Sequence, residues 1–233
     1  MSSLPLSSRI LCQSADCVAV NKLIGEAVEG AAKGMVDLPV ELAGVLPPET
    51  ELIEAVHRLD VPVTGCALFA LTKDALSFLN AAFAGEKGKP SQVEKIYWAV
   101  VEKPSFRLDS SGELVHWIET NSRKNKSFAY DKEGQGRKKS SLYYSVKNEG
   151  KNYLFLEIRL FSGRHHQIRC QLAAVGLPVK GDLKYGAKRS EKNGGIRLHA
   201  RSLSFPAPGK NEKITVTADP PQPDNLWEMF SHC

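Results

Sequence analysis

His57-Arg58-Leu59-Asp60-Val61-Pro62-Val63-Thr64-Gly65-Cys66-Ala67-Leu68-Phe69-Ala70-Leu71-Thr72 sets a charged quartet directly ahead of an apolar run. The run from Gly65 to Thr72 has the length of a strand and too few polar residues for a solvated face, so it reads as buried. Asp60 stands at the junction, where a carboxylate is partly buried and still faces a cleft. The neighbouring Arg58 cation favours its ionised form. An ionised carboxylate acts as a nucleophile or a general base. Taken alone, the quartet also fits a salt bridge at a helix end.

Working outward, Arg9–Leu11 and Cys17–Val20 read as short strands around the turn Ser14-Ala15-Asp16. Val28 to Pro48 is rich in Gly, Ala and Pro and reads as irregular. Pro47-Pro48 then introduces a predicted short helix, Glu49–Val56, with acidic residues in its first turn, where the helix dipole favours them. Asp74 is placed to cap the next helix, whose stripe is Leu76, Leu79 and Phe83. Strands are expected at Lys95–Val101, Arg197–Phe205 and Lys213–Ala218, with a hairpin from Leu142–Lys147 and Tyr153–Phe161. Helices are expected at Gln167–Val175, with Gly176 just past its end, and at Asp224–Phe230. Strands outnumber helices and several are joined by hairpins, so the fold class is α+β with a mixed, mainly antiparallel sheet. The 233 residues fit a single catalytic domain spanning 1–233.

Two further stretches concentrate reactive side chains. Gly163-Arg164-His165-His166-Gln167-Ile168-Arg169 puts a glycine, Arg164 and two histidines ahead of a helix N-terminus, whose free N–H groups suit an anion. Arg169 lies opposite Ile168 and Leu172, so it is free to enter a site. The adjacent histidines diverge, and there is no H-x-x-x-H, so no metal site is expected. In Glu94-Lys95-Ile96-Tyr97, strand alternation puts Lys95 and Tyr97 on one face. Tyr97 offers a ring to stack on a base and a hydroxyl to handle a proton; it also fits a core position.

The formal charge of +5 hides an asymmetry. Residues 1–120 carry a net −6 and residues 121–233 a net +11. Residues 121–140 hold seven cations, Arg123, Lys124, Lys126, Lys132, Arg137, Lys138 and Lys139, against two acidic residues. Clustered cations point to a polyanion, whose condensed counterions they release; a solvated basic loop is the other reading. Five cysteines (12, 17, 66, 170 and 233) form no C-x-x-C, arguing against disulfides and structural zinc. No apolar run approaches a membrane span, and the first 20 residues lack a signal-peptide layout. A cytoplasmic protein is expected.

In combination these stretches resemble the RluA-type pseudouridine synthases. HRLD with V-P-V-T-G is similar to that family's H-R-L-D-x-x-T-S-G, Thr64 and Gly65 matching. E-K-I-Y-W-A-V-V resembles its Lys–Tyr strand, and G-R-H-H-Q-I-R…G-D-L-K-Y-G its G-R-T-H-Q-I-R and G-D-x-x-Y-G. Leu198-His199-Ala200-Arg201-Ser202-Leu203-Ser204-Phe205 is like its last L-H-A-x-x-L-x-F strand, and Val18-Ala19-Val20-Asn21-Lys22 like its first. The resemblance runs from about Ile10 to Pro220. His165 replaces a small hydroxyl residue, and residues 105–140 do not align convincingly with the family and read as a variable basic insertion. The chain begins directly with catalytic-domain-like sequence, leaving no room for an N-terminal RNA-binding domain.

The resemblance implies a sheet split by an RNA-binding cleft and an isomerisation of uridine in ribosomal or transfer RNA, without cofactor or metal. Asp60 is then the nucleophile, Tyr97 stacks on the uracil and assists removal of the C5 proton, and Arg169 pairs with Asp60. Arg58 fills the space left by the flipped uridine. RNA contacts are expected from Arg58, Lys95, Arg164, His166, Arg123, Lys124, Lys126, Arg137, Lys138 and Lys139, and the protein is expected to act as a monomer. Two other readings remain: a catalytically inactive RNA-binding or ribosome-assembly protein of the same fold, and a hydrolase using Asp60 with His57 or His166.

Overall fold

The computed structural model describes residues 4–32, 34–85, 91–221 and 223–230. The chain divides into two compact units, residues 1–95 with 200–221 and residues 96–199 with 222–233. In the first unit β1 (Ile10–Gln13) and β2 (Cys17–Lys22) form an antiparallel hairpin. The short strands β3 (Glu26–Ala27) and β4 (Val36–Asp37) pair in parallel and lead into α1 (Leu38–Ala43). Next come β5 (Glu54–Ala55), β6 (Thr64–Ala70) and α2 (Lys73–Ala84). β2 and β5 both pair antiparallel with β6, and every residue of β6 is buried, as its unbroken apolar run requires.

β7 (Glu94–Glu102) carries the chain into the second unit. There β8 (Ser111–Asn121), β9 (Lys126–Tyr130), β10 (Lys138–Glu149) and β11 (Tyr153–Leu160) follow, and then α3 (Gln167–Ala174). β7, β11, β10, β8 and β9 pair antiparallel in that order. β12 (Leu198–Pro206) and β13 (Lys213–Thr217), an antiparallel pair, return the chain to the first unit, and α4 (Asn225–Glu228) ends the second. The fold class is α+β, as the strand-rich pattern predicts.

Each unit has its own core. Leu68, Leu79, Phe205 and Val216 gather in the first. Val100, Phe155, Trp227 and Phe230 form one cluster of the second, and Ile118, Cys170 and Tyr185 another. A fully buried side chain of this size contributes about 2 kcal/mol.

Three local expectations fail. No helix forms over Glu49–Val56: Thr50 closes a turn on Pro47, Leu52 N–H donates to Leu71 O (3.2 Å), and Val56 N–H to Leu68 O (3.0 Å). Pairing with β6 captures the segment and buries Val56, outweighing a helical preference of a few tenths of a kcal/mol per residue, on the order of the propensity differences. The stretch Val28–Pro48 is not wholly irregular, because α1 starts at Leu38 and buries Leu38 and Leu42 completely. Pro39 is no obstacle there, since the first helical turn has no N–H partner to lose. Finally, α2 is capped by Thr72, whose hydroxyl accepts from Ala75 N–H (3.2 Å), and Asp74 lies within the first turn.

Candidate catalytic residues and basic surface

In the first unit, the half-buried Asp60 sits at the head of a tight turn. Val63 N–H donates to the Asp60 carbonyl (2.9 Å), and Gly25 N–H donates to Val61 O (3.1 Å). Lys22, with no exposed surface, donates from Nζ to Leu23 O (2.9 Å), Val61 O (3.1 Å) and Val63 O (2.7 Å). Burial lowers the Lys22 pKa to about 8, with Glu26 and Asp60 opposing the fall. The buried Glu26 carboxylate accepts from Arg9 and from Leu23 N–H, fixing the neighbouring loop that carries Gly25. The turn that presents Asp60 is therefore held at several backbone points rather than left to loop flexibility.

Gly65 explains why the signature ends in glycine. Its φ is +112°, and a Cβ there would lie 2.2 Å from Ala200 O. β6 thus passes against the backbone of β12 at a distance only glycine allows.

His57 is not poised for proton transfer. Its Nε2 accepts from Leu68 N–H (3.2 Å), and its ring stacks on Phe83 at 5.2 Å. Burial first, and the Lys95 charge second, push its pKa down to about 4. Lys95 is buried with its ammonium over the other partner, the Phe83 ring, at 5.6 Å, and its own pKa is lowered by burial. Lys95 and His57 therefore share Phe83, which sequence reasoning assigns only to a helix stripe. Arg58 is exposed and pairs with Glu29 at 3.2 Å.

In the second unit, Tyr97 lies buried in β7 opposite Ile158 of β11, on the same face as Lys95. Arg169 is buried in the first turn of α3. Its Nε and Nη2 donate to the two oxygens of Asp182 at 2.6 and 2.9 Å, a forked geometry, and its guanidinium lies 5.0 Å from the Tyr185 ring. Asp182 and Tyr185 belong to the G-D-L-K-Y-G stretch, which signals them as a motif without saying what they hold.

His165 and His166 are stacked at 3.8 Å, with His166 in the left-handed region at φ 53°. His166 is buried, its Nδ1 2.9 Å from the Tyr185 hydroxyl. The Tyr185 hydroxyl also meets Ser127 N–H (2.8 Å) and Ser127 O (3.2 Å), and burial raises its pKa. Ser127 Oγ donates to His165 O (2.6 Å) and lies 3.0 Å from His165 Nδ1, while His165 Nε2 lies 3.0 Å from Asn125 Oδ1. The position at which the family has a hydroxyl residue is thus a histidine that finds its hydroxyl across the fold, on β9. The Gln167 side chain accepts from Arg164 N–H and Ser162 Oγ, occupying the loop ahead of α3. The Arg164 side chain is exposed.

The basic segment is not a loop. Arg123 and Lys124 are exposed in the tight turn between β8 and β9, where Lys124 N–H donates to Asn121 Oδ1 (3.0 Å). Lys126 donates to Lys184 O (2.6 Å), and Lys184 donates to Asn125 O (2.9 Å), so this turn is also tied to the G-D-L-K-Y-G stretch. Arg137 packs on the Tyr130 ring at 3.5 Å and sits 3.7 Å from Glu119. Lys138 and Lys139 are exposed at the start of β10. No group of three or more metal-binding side chains occurs among the described residues, and no helix among them is long and apolar enough to cross a membrane. Cys12, Cys17, Cys66 and Cys170 are free thiols; Cys233 lies outside the described residues.

Residues 16–174 match a protein family described as RNA pseudouridylate synthase. Over 225 residues the chain is 28% identical to a Zymomonas mobilis protein named as an uncharacterized RNA pseudouridine synthase, covering 96% of this chain and 98% of the relative. It is 28% identical over 237 residues to the tRNA pseudouridine synthase C of Haemophilus ducreyi, covering 95% and 93%. Among solved structures, human RNA Pseudouridylate Synthase Domain Containing 1 matches with a TM-score of 0.71 at 25% identity, over 95% of this chain and 85% of that one.

Proposed function

The chain belongs to the RNA pseudouridylate synthase family, and from that premise we propose that it isomerises a uridine of ribosomal or transfer RNA to pseudouridine, with Asp60 as the nucleophile. The observation that carries the assignment is the turn around Asp60, anchored by Lys22, Gly25 and Val63 so that the backbone presenting the carboxylate is fixed before substrate arrives. Asp60 attacks either the ribose anomeric carbon or the uracil ring. The bond from N1 to the ribose breaks, the base turns while held, and a bond forms from the ribose to C5. The C5 proton leaves, N1 gains one, and no atom is gained or lost overall.

Tyr97 stacks on the uracil and assists removal of the C5 proton. Arg169, oriented by Asp182, is the cationic partner of the nucleophile in this reading. A base inside a helix does not expose its glycosidic bond, so the nucleotide is extruded, and Arg58, exposed and paired with Glu29, fills the place it leaves. Water must be excluded while the base is detached, because hydrolysis competes. Lys95, Arg164 and His166 line the RNA path in this reading. Arg123, Lys124, Lys126, Arg137, Lys138 and Lys139 supply contacts to phosphates, which are independent of sequence. The enzyme acts in the cytoplasm as a monomer, in one domain, without a cofactor.

The test is tritium release. RNA labelled at uracil C5 is incubated with the protein and with Asp60→Asn, and released tritium is counted. Release by the wild type that vanishes in Asp60→Asn, with the variant's melting temperature unchanged, is the expected result. RNA binding without release from the wild type overturns the assignment in favour of an assembly protein.

A further inference from the structure

A groove of about 860 Å³ in the second unit uses none of the residues assigned above. It is lined by the end of β7 and the loop after it, the turn between β10 and β11, the segment following α3, and residues 186–190. Five of its lining side chains are cations: Lys103, Lys151, Lys180, Lys188 and Arg189. Lys103 pairs with Glu149, Lys180 with Glu191, and Lys188 with Glu102. Lys151 and Arg189 are exposed and have no carboxylate partner among the described residues. Their charge is what the groove offers an incoming anion.

The groove also carries an aromatic platform. Phe106 keeps 50% of its surface in solvent. Its ring edge is supported by Gly176, where an added Cβ would stand 3.3 Å from it. Tyr153 is partly buried under the Lys180 ammonium, 5.6 Å from its ring. The walls are fixed by backbone bonds from Lys103 N–H to Asn152 O (2.9 Å) and from Lys180 N–H to Val100 O (2.9 Å). A cationic groove with an exposed, supported ring is the chemistry of single-stranded nucleic acid, phosphates meeting the cations and a base stacking on the ring. A protein interface is depleted in lysine at its core, and four lysines line this groove.

We propose that this groove is a second RNA-docking site, which holds a single-stranded segment of the substrate outside the nucleotide being modified. The inference rests on the reading of the protein as an RNA-modifying enzyme. The loop of residues 186–190 follows directly on Asp182 and Tyr185, which hold Arg169 and His166. The docking surface is thus built as a continuation of a motif loop.

The test is fluorescence anisotropy of a labelled 20-nucleotide single-stranded oligouridine with the full chain over a salt series. Lys151→Glu with Arg189→Glu should weaken binding and reduce the magnitude of the salt slope by about 1.4 or more, the share of two phosphate contacts on a single strand. Lys151→Gln with Arg189→Gln should act in the same direction. Phe106→Ala should weaken binding by about fivefold or more with the slope unchanged, as loss of one stacked base requires. Lys151 and Arg189 are exposed, so their variants should melt as the wild type does. A wild type that releases tritium from C5-labelled RNA, with variants that keep its affinity and slope, overturns the groove and leaves the proposed function standing. A wild type that releases none overturns the proposed function instead.

Discussion

The Lys22 ammonium has no exposed surface and gives its three protons to the carbonyls of Leu23, Val61 and Val63, the last two within three residues of Asp60. Burial holds its folded pKa near 8, below the ordinary lysine value of 10.5. The unfolded chain therefore binds the extra proton between these values, and folding gains stability as pH rises from about 8 to about 10.5. Lys22→Met should lose this gain, so the urea midpoints of variant and wild type should diverge across that window. Their difference staying constant from pH 7.5 to 10.5 would count against the buried, protonated Lys22. Tritium release should also fall in the variant, because the Asp60 turn loses two of its anchors.

At the scale of elements, β8, β9 and the start of β10 turn a charge run into a surface with divided roles. Arg137 packs on Tyr130 and donates to Lys132 O (3.3 Å), and Lys139 lies 5.8 Å from the Trp117 ring, whereas Lys124 and Lys138 stand in solvent. Lys124→Gln with Lys138→Gln should therefore weaken RNA binding and flatten its salt dependence, with a slope change of about 1.4 on a single strand, at unchanged melting temperature. Arg137→Gln should lower the melting temperature as well, because a cation–aromatic contact worth about 0.5–1 kcal/mol is lost. An Arg137→Gln variant that melts like the wild type would show that the packing does not matter. Composition shows that these residues are basic. It does not show which of them the hairpin has already used, since that depends on β9 bringing Tyr130 beside Arg137.

Over the whole molecule, the charge follows the units more closely than the halves of the sequence. The first unit holds 11 basic and 14 acidic residues, and the second 20 and 12, nets of −3 and +8. Oligouridine binding should accordingly depend on the second unit. Lys73→Gln with Lys210→Gln, two exposed lysines of the first unit, should leave affinity and salt slope as they are. A flatter slope in that pair would mean that the first unit shares the phosphate contacts.

The sequence by itself determined the order of most strands and helices, the α+β class and the candidate residues Asp60, Tyr97 and Arg169. Each of these is written locally: β6 as an unbroken apolar run, the end of α3 as Gly176 with φ +77°, the α4 cap as Asp224 accepting from Leu226 and Trp227 N–H. Tertiary structure alone decided that Glu49–Val56 pairs with β6 instead of coiling, and that Asp182 holds Arg169. It also decided that Ser127 meets His165, Phe83 serves both His57 and Lys95, and Lys22 secures the Asp60 turn. Propensity and periodicity act within one element, where a few neighbouring residues set the free energy. A buried charge or donor must instead find its partner wherever chain closure brings one, here 12 to 41 residues away, because leaving it unsatisfied costs more than any local preference contributes.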